Sequence, residues 1–149
     1  MTTRSRVTVQ IRRHFEVPAT ALFDAWLNPD GAWRWMARGY GDLLHLDLQP
    51  WVHGIIRQVV LQEGREIEHR GEIIELARPT HLAFTWQGPP PATDGHVRLV
   101  FIADATGTEL SLEQERVPQG HESRTLHAWN IVLDAIARSV ARAVPIELA

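Results

Sequence analysis

With 149 residues, 44% of them apolar and 22% charged, the chain has the make-up of one globular domain, long enough to bury about 70% of its unfolded surface. A net charge of −3 gives no electrostatic footprint for nucleic acid or anionic lipid. There is no cysteine and all 15 basic residues are arginine, which excludes disulfides, thiolate chemistry, Cys-ligated zinc and Schiff-base lysines.

In chain order, Val7 to Phe15 alternates Val7, Val9 and Ile11 with Thr8, Gln10 and Arg12, the pattern of a half-buried strand. Pro18 then precedes a short helix lined by Leu22, Phe23, Trp26 and Leu27. Asn28-Pro29 ends it, because the residue before proline is pushed out of the helical region. A second short helix is predicted over Pro29 to Met36, carrying Trp33, Trp35 and Met36, with Gly39 and Gly41 at its exit.

From there the apolar period becomes two. Asp42 to Leu48 is predicted to put Leu44, Leu46 and Leu48 on one face and Leu43, His45 and Asp47 on the other. Strands are predicted over Val52–Gln62, Arg65–Leu76, His81–Trp86, Gly95–Asp104 and Thr108–Val117. Gly54 marks a bulge or a close backbone approach. The row Glu66, Glu68, Arg70 and Glu72 reads as a solvated face opposite Ile67, His69, Gly71 and Ile73. His121 to Val144 lacks proline and glycine, and repeats Leu126, Trp129, Leu133, Ile136 and Val140 at three- and four-residue steps. That is one amphipathic helix of roughly 35 Å.

One strand, two short helices, six strands and a long helix make an α+β, helix-grip arrangement. A curved antiparallel sheet of six or seven strands wraps the C-terminal helix, since only that helix is long enough to cover the apolar face. A gap between such a sheet and its helix is where a ligand would sit. No apolar run approaches the roughly 20 residues of a membrane span, and MTTRSRVTVQ has no signal-type apolar stretch. A cytoplasmic protein, monomeric or homodimeric, is expected.

Arg13-His14-Phe15-Glu16-Val17-Pro18, Leu22-Phe23-Asp24-Ala25-Trp26, Asn28-Pro29 and Trp35-Met36 resemble the opening of bacterial proteins related to the activator of Hsp90 ATPase, within the START/Bet v 1-like superfamily. Gly71-Glu72-Ile73-Ile74-Glu75 and Arg78 to Trp86 are similar to that family's centre. Gly107 to Leu112, with His127-Ala128-Trp129 and Leu133-Asp134, resembles its end. The resemblance spans nearly the whole chain as a single domain and implies the helix-grip fold. It implies a small-molecule pocket in general terms, since the superfamily includes lipid and hormone binders and polyketide aromatases and cyclases. Two departures, Pro50-Trp51-Val52-His53-Gly54 in place of a paired glycine and Ala128 in place of a glycine, are expected to narrow or reshape that pocket.

Six tryptophans against one tyrosine supply flat, rigid walls suited to an aromatic or polycyclic ligand. The expected ligand contacts are Trp33, Trp35, Met36, His45, Trp51, His69, Phe84, Trp86, Phe101, Gln114, Leu126 and Asn130. His45, Asp47 and His69 are the candidates for proton transfer if the scaffold is an enzyme such as a cyclase, dehydratase or hydrolase. No cofactor and no metal site is expected, and the expected partner is a small apolar molecule. A protein-interaction or chaperone-accessory module is the remaining alternative, and it predicts an exposed apolar patch in place of a pocket.

Overall fold

The computed structural model describes residues 5–28, 41–88 and 95–143. Its elements are β1 (Arg6–Phe15), α1 (Ala19–Ala25), β2 (Asp42–Leu48), β3 (Ile55–Gln62), β4 (Arg65–Ala77), β5 (His81–Trp86), β6 (Gly95–Asp104), β7 (Gly107–Pro118) and α2 (Glu122–Ala143). The strands form one seven-stranded antiparallel sheet in the order β1-β7-β6-β5-β4-β3-β2, curved around α2. This is the helix-grip arrangement. The predicted helix over Pro29 to Met36 lies outside the described residues. No helix among those described is long and apolar enough to cross a membrane.

Alternation decides which face is buried. Ile56, Ile73, Leu82, Phe84, Val97, Leu99, Leu110 and Leu112 point inward and meet Trp129, Val132, Leu133, Ile136 and Val140 of α2 in one core. Burying each large apolar side chain contributes about 1.5–3 kcal/mol.

The strand β2 departs from simple alternation. Its register slips between Leu43 and His45, so that Leu43 pairs with Val60 and His45 with Val59. The bulge turns Leu43 inward and leaves Leu44 exposed, reversing the faces expected for these two leucines. Leu46 and Leu48 stay inside, packed on the core.

Two sets of contacts fix the helices. Leu22 and Phe23 of α1 and Trp26 just after it are fully buried, and Phe23 packs edge-to-face on Phe101 at 5.2 Å. Asp24, on the outer side of α1, accepts two bonds from the Arg78 guanidinium, at 2.7 and 2.9 Å. The buried Thr108 hydroxyl donates to the Val17 carbonyl at 2.8 Å. Together these seat α1 against the end of the sheet formed by the β4–β5 turn and the β6–β7 hairpin. Along α2, Arg13 of β1 reaches Asp134 at 2.6 Å and the Asn130 side-chain oxygen at 2.9 Å. Trp129 donates its indole N–H to Gln114 Oε1 of β7 at 2.6 Å and lies 6.3 Å from Trp26.

Gly71 of β4 lies close against β5. A Cβ there would collide with the Thr85 carbonyl and come within 3.3 Å of the Trp86 ring. Gly64, by contrast, has φ +78° in the β3–β4 turn with open space around it. Gly64→Ala is therefore expected to cost about 1 kcal/mol in urea unfolding, from backbone strain alone. Gly71→Ala should cost at least about 2 kcal/mol, because two strands must separate. Equal costs at the two glycines would contradict the close approach.

Candidate functional site

The inner face of the grip is not uniform. At the α1 end it is filled by Phe15, Leu22, Phe23, Trp26 and Phe101. Toward the β3–β4 hairpin, the start of β6 and the N-terminal half of α2, polar and aromatic groups replace aliphatic ones. Gln58 on β3 is directly opposite His69 on β4, and both are buried. The His69 imidazole lies flat against the Trp86 indole of β5, centroids 5.5 Å apart and planes 9° from parallel. Gly71, two residues along from His69, lacks the side chain that would push Trp86 away. Phe84 stands edge-on to the same indole at 6.4 Å.

Next along the inner face come Gly95 of β6, paired with Trp86, and Gln114 of β7, paired with Val97. Gln114 faces Trp129, and Leu126 lies one turn earlier on α2, half-buried. These residues form a planar aromatic wall edged by a neutral imidazole and two amides. Burial pushes the His69 pKa down from 6.5 to about 4, so the ring is uncharged at neutral pH. An uncharged imidazole can donate from one nitrogen and accept at the other, and its environment disfavours a cationic state.

The other residues singled out from sequence fall in different places. His45 and Asp47 pair with each other at 2.8 Å on the outer face of β2, their side chains 49% and 56% exposed. Arg57 and Glu68 extend that ion-pair row, at 3.9 Å from Asp47 and 3.1 Å between themselves. His45 and Asp47 alternate with the inward Leu46 and Leu48 and so lie on the side of the sheet opposite His69; the proton-transfer trio expected from sequence is not assembled. Trp51 is 57% exposed on the loop before β3, where a Cβ on Gly54 would collide with the Gln49 carbonyl. Phe101 serves the closed end against Phe23, and the Asn130 amide oxygen is engaged by Arg13. Trp33, Trp35 and Met36 lie outside the described residues.

Gln58 and Gly95 were not singled out from sequence. The signal for Gln58 was present, since it interrupts the inward series Ile56, Gln58, Val60. His14, Asp104 and Thr106 also cluster, but the carboxylate and the hydroxyl both meet the same nitrogen, Nε2, at 3.2 and 3.0 Å. A relay needs both ring nitrogens, so this cluster locks the β6–β7 turn. Among the described residues no group of three His, Asp or Glu side chains could hold a metal ion.

The buried imidazole makes stability pH-dependent. The unfolded chain protonates His69 near pH 6.5 and the folded chain only near 4, so between these values the unfolded state binds more protons and stability rises with pH. The His69 contribution is complete above about pH 6.5 and is lost as pH falls toward 4. In urea unfolding, the stability of wild type relative to His69→Phe should fall by about 2 kcal/mol from pH 7.5 to pH 4.5. Parallel pH profiles for the two proteins would contradict a buried neutral imidazole.

Comparison with known proteins places this geometry in a family. No curated protein matches the chain. A solved structure from Rhizobium leguminosarum superposes with a TM-score of 0.79 at 21% identity, covering 95% of this chain and 99% of that one. SA2116 from Staphylococcus aureus superposes with a TM-score of 0.81 at 16% identity, covering 94% and 96%. DynU16, a protein of the dynemicin biosynthetic locus, gives 0.73 at 16% identity over 93% of this chain and 48% of its own. At these identities the likeness shows the fold. Residues 16–141 match the family described as Activator of Hsp90 ATPase homolog 1-like protein, and the chain belongs to that family.

Proposed function

We propose that this protein binds a small, largely apolar molecule with an aromatic or polycyclic part, held between the sheet and α2. The observation that carries this is the flat His69–Trp86 stack on the inner face, bordered by Gln58, at the end of the grip away from α1. An aliphatic core needs none of these groups, and burying polar side chains costs stability that an all-apolar interior avoids. Placing them together at one end suits a ligand with a broad apolar face and few polar atoms. A planar ring lying against the Trp86 wall gains about 0.5–1.5 kcal/mol beyond its buried area. The presence of a related fold in a biosynthetic locus is compatible with small-molecule handling.

Of the three candidates for proton transfer, only His69 lies on the inner face, because His45 and Asp47 face outward. The geometry thus favours binding and orientation over acid–base catalysis by the three residues together.

Tryptophan fluorescence titration with fluorene tests the proposal directly. Wild type should show saturable quenching at micromolar concentration, and Trp86→Leu should weaken binding about five-fold while retaining its far-UV circular dichroism. Trp51→Leu, on the outer loop, should leave the affinity within about two-fold. Absence of saturable quenching, together with no small molecule retained in native mass spectra, would sink the ligand-binding role.

A further inference from the structure

The amide of Gln114 has a fixed orientation, and that orientation has chemical consequences. An indole N–H can only donate, so the Trp129 bond at 2.6 Å requires the amide oxygen to face the helix. Turning the amide over would set N–H against N–H in a half-buried site. The Gln114 NH2 group is therefore directed away from α2. It lies beside Gly95, where a Cβ would stand 3.0 Å from Nε2 and 2.8 Å from the Trp86 carbonyl oxygen. The missing side chain leaves open space between the NH2 group and the Trp86 backbone. Among the described residues, the Gln114 side chain makes no hydrogen bond other than the one to Trp129.

We infer that Gln114 is a fixed hydrogen-bond donor of the ligand site, so that the site selects planar apolar molecules carrying an acceptor oxygen, such as aryl ketones, over those carrying only an N–H or O–H donor. This rests on the proposed ligand-binding role. Trp129 is the positioning residue: it does not touch the acceptor but holds the amide so that only N–H groups are presented. A ligand carbonyl gains a donor already aimed at it, whereas a ligand N–H meets another N–H and leaves both without a partner.

Three tricyclic probes of nearly equal shape separate these effects: fluorene, with no polar atom; 9-fluorenone, with an acceptor only; and carbazole, with a donor only. Wild type is expected to bind fluorenone about ten-fold more tightly than carbazole, with fluorene between them. Gln114→Glu keeps one oxygen for the Trp129 indole and presents the other as an acceptor, so it should reverse the order to carbazole over fluorenone. Trp129→Phe releases the amide to turn either way, and the fluorenone-to-carbazole ratio should fall to within about two-fold, an effect that general loosening of the core would not produce. The wild-type comparison requires no variant to fold. Equal affinities of wild type for fluorenone and carbazole, with both bound, would overturn the inference and leave the binding role standing. Failure of all three probes to bind would overturn the binding role itself and the inference with it.

Discussion

A seven-stranded antiparallel sheet with one apolar face must bury that face, and in this chain the burial depends on where α2 is held. Trp129 does much of the holding. Its ring packs near Trp26, just after α1, and its N–H must find an acceptor, because an orphaned donor in the interior costs about 1–3 kcal/mol. Gln114 supplies that acceptor from β7. Arg13 adds a second tie from β1 through Asn130 and Asp134. The bond that positions the helix is also the one that orients the amide facing the proposed ligand, so packing and recognition share one interaction.

The interior then divides by chemistry. At the α1 end, Phe23 on Phe101 and the buried Leu22 and Trp26 make a dense apolar plug. At the other end, Gln58, His69 and Gln114 bring polar atoms to the inner face beside the Trp86 indole. Polar groups at core positions are where local folding preference and function pull apart. The lowered pKa of His69 is the physical signature of that conflict: the ring is kept neutral because burial penalises its charge. A neutral polar rim on an aromatic wall suits an uncharged ligand better than a carboxylate or an amine.

Much of the fold was legible in the sequence because its signals are periodic. The seven strands and the long helix follow from two clean periods, two and three-to-four, punctuated by Gly64, Pro79 and Gly107. The inward positions of His69, Trp86 and Gln114 followed from the same alternation. What periodicity could not supply was the β2 bulge, a single extra residue that turned Leu43 in and Leu44 out. It also could not say which face of a strand is concave, so His45 and Asp47 looked equivalent to His69 until the curvature of the sheet was known. The partner of a buried amide is likewise a three-dimensional fact: Gln114 and Trp129 are fifteen residues apart and meet only once the helix lies back across β7.

The most direct test of the account is where a planar ligand sits. In 15N-labelled protein the indole N–H groups give separate signals, which single Trp→Phe substitutions assign. Titration with 9-fluorenone should shift the Trp86 and Trp129 indole signals progressively and leave Trp51 in place, because the first two border the proposed site and the third projects from an outer loop. Movement of the Trp51 signal alone, with Trp86 and Trp129 unchanged at saturation, would contradict an interior site built on the His69–Trp86 stack.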